Sequence, residues 1–352
     1  ALHAVQCAVD LVGACPFSSL VLPVLMTPPG APAAEMRMCA RPPRQNSIVE
    51  SSIFLTGQWE ECSGLLSVLL SLPEPCKVID VGANVGACTL VFASHGFHVV
   101  AFEPVLENVA LLKASLDIPQ KRLQVEVREQ VVSDTHGTAH MVTAGAESKV
   151  ISVNYATQEI GSDNVPIIEV SQTTLDAAVD VACALKIDAE GSEFRVLRGA
   201  AQLLQRSVQV VDFEFVPQTL REEGENPVDL LHLLHDLGFS IWHVHAADSV
   251  LRPRHLPLRY EKFCQEGWGH ISEAEFWRTA EYQPDGFQLI ALRKGLLPVA
   301  CKTQGCPKTF DGGCLNHNEK FLAGYYDRSY SDEECRDLCS LQPECGGFCM
   351  GK

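Results

Sequence analysis

Apolar residues in this chain fall into short continuous runs separated by stretches of helical spacing. Lys77–Asp80, His98–Phe102, Leu123–Val127 with Val131–Val132, Ala182–Ile187, Val208–Phe213, Phe239–His245 and Phe287–Arg293 have the length and β-branched content of buried strands. Between them the spacing predicts helices. One covers about Glu60–Ser71 and is ended by Pro73 and Pro75, one runs through Thr89–Ser94, and one spans Leu106–Ser115 with Val109, Leu112 and Leu116 on one face. Another follows Ser192, with Phe194, Leu197, Ala201 and Leu204 three and four apart, and a last one covers Val228–Leu237 and stops at Gly238. Strands alternating with helices predict an α/β fold: a parallel-rich sheet covered on both faces and joined by right-handed crossovers. Residues 138–170, rich in Thr, Ser, Val and Ile, read as additional strands or a hairpin. Residues 1–45 are rich in Pro and Ala and read as a loosely ordered lead or the remnant of a targeting segment.

Length and charge narrow the function. The 352 residues suit two domains, or one large domain with an appendage. Twenty-seven basic against 44 acidic residues give a formal charge of −17, which disfavours nucleic acid and anionic membrane surfaces as partners. The longest uncharged stretch, Leu11–Ala34, contains five prolines and does not read as a membrane span. Eight cysteines are scattered over residues 1–300 and read as small apolar core residues, whereas seven crowd the last 52.

The first candidate site is the turn Asp80-Val-Gly82-Ala-Asn84-Val-Gly86 between a strand and a helix, at the sheet edge where ligands of open α/β folds bind. A dinucleotide loop needs glycine where Asn84 stands, and a phosphate loop needs a Gly-Lys pair that is missing. Asp80 suits a ligand with a positive amino group. Glu103 ends the next strand seventeen residues past Gly86, where a carboxylate can accept both ribose hydroxyls. A ribose, an ammonium and no diphosphate describe S-adenosylmethionine.

Two stretches, VIDVGANVGACTLVFASHGFHVVAFEP at 78–104 and LKIDAEGSEFRVLRGA at 185–200, resemble the FkbM-type methyltransferases, a branch of the class I S-adenosylmethionine-dependent fold. Weaker likenesses at 53–60, 173–176 and 212–217 extend the resemblance over about residues 46–297. It implies a Rossmann-like sheet of seven strands with the last, Phe287–Arg293, antiparallel. It implies a donor loop of Asp80, Gly82, Asn84 and Gly86, a ribose clamp at Glu103, and Ser133 and Asp134 near the adenine. It also implies methylation of a hydroxyl oxygen, often on sugars or small metabolites.

Such chemistry calls for a base beside the donor methyl. Asp188 ends the fourth strand, Glu190 follows in a tight turn, and Glu214 ends the fifth, making these three acids the candidates. Glu193 suits the first turn of a helix. A divalent ion between Asp188 and Glu214, or zinc on His232, His235, His243 and His245, is a weaker reading, and no metal site is assigned. Residues 325–348 resemble PAN/apple or WSC modules, disulfide-stapled units that often bind carbohydrate or protein, giving a Cys-rich module over 298–352. Its disulfides would imply the secretory pathway or the extracellular space, and their absence the cytoplasm. The expected activity is therefore methyl transfer to a small-molecule or glycan acceptor. The rival readings are a methyltransferase-like binding protein without turnover and a nicotinamide oxidoreductase, against which Asn84 argues.

Overall fold

The computed structural model describes residues 15–17, 19–26, 34–42, 48–56, 59, 62–72, 76–119, 123–142, 149–151, 167–244, 260–262, 287–296, 308–310 and 313–315. The chain opens with an antiparallel hairpin, β1 (Leu20–Met26) and β2 (Ala34–Ala40), followed by helices α1 (Ile48–Thr56) and α2 (Ser63–Leu69). Then come β3 (Lys77–Val81), α3 (Ala87–Ser94), β4 (His98–Phe102), α4 (Leu106–Asp117) and β5 (Val125–Arg128). A small sheet is built from β6 (Val131–Val132), β7 (Gly137–Val142), β8 (Lys149–Ile151) and β9 (Ile167–Thr173), so the 138–170 segment does supply strands. After α5 (Leu175–Ala178) the main sheet resumes with β10 (Ala184–Ile187), α6 (Glu193–Arg198), α7 (Ala201–Arg206) and β11 (Val210–Phe215). Helices α8 (Pro217–Glu222) and α9 (Pro227–Asp236) lead to β12 (Phe239–Val244), β13 (Tyr260–Lys262) and β14 (Phe287–Arg293).

The main sheet runs β13-β12-β14-β11-β10-β3-β4-β5. Strands β5, β4, β3, β10 and β11 are mutually parallel, and β14 inserts antiparallel between β11 and β12, as expected. The expected seven strands are extended to eight by the short edge strand β13, antiparallel to β12. Alternate side chains of each strand enter two separate cores. Val78, Val99, Ala184, Val210 and Ile290 pack with the apolar faces of α2, α3 and α4, whereas Ile79, Val100, Leu185, Val211 and Leu289 pack with α6, α7 and α9.

Two expectations are corrected here. Residues 20–26 and 34–40 of the expected loose lead are paired antiparallel strands, with Met36, Met38, Cys39 and Ala40 buried. They are tied down by polar contacts: the Cys39 amide donates to Ser115 Oγ on α4 at 2.8 Å, and Arg41 donates to Glu50, Glu107 and Asn108. The scattered cysteines are not simply apolar filling. Six of the eight form disulfides, Cys15–Cys39, Cys62–Cys88 and Cys76–Cys183. Their partners are brought together by the sheet and by α3, contacts that spacing along the chain does not encode. The Cys-rich module expected over 298–352 lies outside the described residues, apart from the paired strands β15 (Lys308–Phe310) and β16 (Gly313–Leu315).

The Cys62–Cys88 bridge staples the start of α2 to the first turn of α3, the helix that follows the glycine turn. The Cys76–Cys183 bridge joins the entrances of β3 and β10. A cross-link of this kind stabilises a fold by about 2–4 kcal/mol, chiefly by restricting the unfolded chain. We expect the Cys76→Ser/Cys183→Ser variant to lose about 2–5 kcal/mol in urea unfolding. Peptide mapping under non-reducing conditions should recover all three bridges; free thiols at these six positions would contradict the pairing.

Candidate active site

A cleft of about 640 Å³, measured out to its open mouth, lies at the carboxyl ends of β3, β4 and β10. Its walls come from the turn after β3 (Val81, Gly82, Asn84), the end of β4 (Phe102, Glu103), the Gln130–Val132 segment and the turn after β10 (Asp188, Ala189, Glu190).

The turn after β3 is built from conformations that most side chains avoid. Gly82 has φ +74°, and a Cβ there would stand 1.8 Å from the Asp188 carbonyl oxygen, so only glycine lets the two strand ends meet. Asn84 also has positive φ, 50°, and its Oδ1 accepts the Val85 amide at 2.8 Å. Gly86, by contrast, is a packing residue: a Cβ there would lie 2.3 Å from Leu112 Cδ1 of α4.

Glu103 is buried at the cleft wall. Its Oε2 accepts the Asn84 amide at 2.8 Å, and its Oε1 accepts the Val105 amide at 2.9 Å and Asn108 Nδ2 at 3.3 Å. Burial pushes its carboxyl up to about 6, against the pull of the Val105, Asn84 and Asn108 donors. Asn108 is itself held by Arg41 Nη2 at 3.0 Å, so the N-terminal segment reaches this wall through two hydrogen bonds.

On the opposite side, Asp188 closes β10 with its Oδ2 3.1 Å from Lys186 Nζ. Glu190 is exposed at the mouth and is the second non-glycine residue of the cleft with positive φ, 50°. Strain of this kind concentrates at functional sites. Beneath it, Glu193 is buried, with Oε1 accepting the Ala189 amide at 3.0 Å and the Gly191 amide at 3.1 Å. Burial raises it to about 7, opposed by those amides. Glu193 thus closes its own turn, as its place in the first turn of α6 suggests.

The cleft brings together Gly82, Asn84, Glu103, Asp188 and Glu190. Gly86 stands apart for the packing reason just given. Asp80 does not line the cleft: it is fully buried below it, accepting from Thr89 Oγ1 at 2.5 Å and lying 3.7 Å from Lys186 Nζ. Burial raises its carboxyl, and the Lys186 charge and the Thr89 hydroxyl pull it down. The expected pairing of Asp80 with a ligand ammonium is therefore replaced by an internal lysine. Ser133 and Asp134 do not line the cleft either. The Ser133 carbonyl packs so closely on Gly199 that a Cβ there would be 2.0 Å away, and Asp134 pairs with Arg198 at 2.8 Å. Their place along the cleft is taken by Gln130, Val131 and Val132, with Met141 from the small sheet. Glu214 is half-buried on β11, opposite Gln288, and is not part of the wall.

The site fits a nucleoside without a diphosphate. The Asn84 amide, which could cradle a phosphate, already donates to the Glu103 carboxylate. Glu103 Oε2 receives this one donor and keeps acceptor capacity for a ribose hydroxyl. Val131, Val132 and Met141 give an apolar wall suited to a flat base. Among the described residues, no group of three or more His, Cys, Asp or Glu side chains is arranged to hold a metal ion.

Residues 80–241 match the family model described as "Methyltransferase FkbM domain". The chain has no match among the curated proteins. It is similar to a solved FkbM methyltransferase from Methylobacillus flagellatus KT, at 14% identity and a TM-score of 0.35, over 62% of this chain but only 43% of that one. It is also similar to magnesium protoporphyrin IX methyltransferase from Synechocystis PCC 6803 with bound SAH, at 12% identity and a TM-score of 0.36, over 72% of this chain and 90% of that one. A third likeness is to precorrin-6y C5,15-methyltransferase from Geobacter metallireducens GS-15, at 10% identity and a TM-score of 0.37, over 72% and 94%. The sheet order and the glycine turn agree with the match of residues 80–241 to the methyltransferase FkbM domain.

Proposed function

We propose that this protein transfers the methyl group of S-adenosylmethionine to a hydroxyl oxygen of a sugar or another small metabolite. The observation that carries the reading is that one cleft joins the carboxylate of Glu103, at the end of β4, with two acids of the turn after β10, Asp188 and Glu190. When bound, S-adenosylmethionine supplies a methyl group on a positively charged sulfur. Glu103 and Asn84 orient the ribose side, and the apolar wall of Val131, Val132 and Met141 takes the base. Asp188 accepts the proton of the acceptor hydroxyl as its oxygen forms the new bond to carbon. Glu190, at the mouth, orients the acceptor. The remaining work is alignment and exclusion of water, which suits an in-line displacement that disperses charge.

The acceptor side favours uncharged hydroxyl compounds over phosphorylated ones. The amides of Ala189 and Gly191, at the start of α6, are already occupied by Glu193, and Asp188 and Glu190 add negative charge. Three disulfides support an oxidising compartment, so the acceptor would be met in the secretory pathway or outside the cell.

Incubation with labelled donor and a panel of glycans and small alcohols tests the reading: label should enter a hydroxyl compound, and failure of the protein to bind the donor by titration calorimetry would remove it. Glu103→Ala should weaken donor binding by about 1–3 kcal/mol, and unchanged affinity would clear Glu103 of the ribose role. Asp188→Asn should leave donor affinity nearly unchanged while lowering turnover by roughly 10²–10⁴-fold; full activity would mean that another group takes the proton.

A further inference from the structure

The pleat of the main sheet places three charged residues in one row. Lys186 of β10 is registered with Asp80 on β3 and with Asp212 on β11, and all three are buried on the face that packs against α2, α3 and α4. The carboxylates differ in their other partners: Asp80 takes the Thr89 hydroxyl, and Asp212 takes Gln288 Nε2 of β14. Burial pushes Asp212 up to about 7, against the Gln288 donor and the Lys186 charge.

The ammonium of Lys186 reaches out of this row. Its Nζ donates to Asp188 Oδ2 at 3.1 Å and to the Gly82 carbonyl oxygen at 3.4 Å. Gly82 belongs to the donor loop and Asp188 to the acceptor side, and both line the cleft. A counter-ion for the buried acids needs contact only with Asp80 and Asp212. Lys186 instead spends hydrogen bonds on the two loops whose relative placement decides the approach of the reacting atoms.

We propose that Lys186 is a positioning residue for methyl transfer, its ammonium fixing the donor loop at Gly82 and the Asp188 carboxylate in one geometry. The inference rests on the methyltransferase reading above and adds to it a residue that need not touch donor or acceptor.

The test separates positioning from charge balance. Lys186→Met leaves the acids without their cation and should lower the melting temperature. The double variant Lys186→Met/Asp212→Asn removes one positive and one negative charge and should recover most of that loss. If Lys186 positions the loops, the double variant still exchanges the amide hydrogens of 82–84 and 188–191 faster than wild type. Its kcat also falls by at least about tenfold, with donor and acceptor KM changing far less, because misplacement by an ångström is costly. Recovery of exchange rates and kcat along with melting temperature would overturn the proposal, leaving Lys186 a counter-ion. Should the double variant not fold, Lys186→Arg decides: it keeps the charge but changes the reach, and positioning requires a lower kcat at an unchanged melting temperature, whereas unchanged kcat overturns it. Hydrogen exchange is read on the donor-free protein as well. A wild type that never binds S-adenosylmethionine would thus sink the functional reading while the Lys186 tie is still decided separately.

Discussion

Buried carboxylates at the carboxyl ends of neighbouring strands are the constraint around which this site is built. Asp80, Glu103, Glu193 and Asp212 are all buried, and an unpaired charge in such a place costs several kcal/mol. The protein offsets that cost in two ways. Lys186 places one ammonium beside Asp80 and Asp188, with Asp212 in the adjacent register position. Glu103 and Glu193 each accept two loop amides. Burial still pushes the carboxyls of Asp212 and Glu193 up to about 7.

The same arrangement shapes what the cleft accepts. In many α/β folds the amides after the first strand and at a helix start hold phosphate. Here carboxylates from the chain fill those positions, so the loop amides are satisfied before any ligand arrives and the cleft wall carries Glu103, Asp188 and Glu190 in place of bases. A ligand with a cationic centre and no diphosphate matches this field. The N-terminal hairpin contributes at a distance, because Arg41 holds Asn108 and Asn108 holds Glu103.

The alternation of strands and helices was legible because parallel strands buried on both faces leave continuous apolar runs. Gly82, Asn84 and Glu103 were legible because a turn with positive φ and a strand-end acid leave a local signature. Asp188 and Glu190 followed from the same rule at β10. Lys186 leaves no such signature: a single lysine inside an apolar run shows its meaning only when β3 and β11 stand on either side of it. Position along the chain points Asp80 at a ligand, but strand parity sends its side chain into the core beneath the cleft, to Lys186 and Thr89. Ser133 and Asp134 lie just past the segment that lines the cleft: the Ser133 carbonyl packs on Gly199, and Asp134 pairs with Arg198. The disulfides and the packing of β1 and β2 depend on contacts between distant segments and leave little trace in local pattern.

The most direct measurement is a crystal structure of the protein with S-adenosylhomocysteine. We expect the ribose hydroxyls against Glu103, the base beside Val131 and Val132, and the sulfur facing Asp188. A product bound elsewhere, or a cleft closed by its own side chains under saturating ligand, would contradict the assignment of this cleft as the methyl-transfer site.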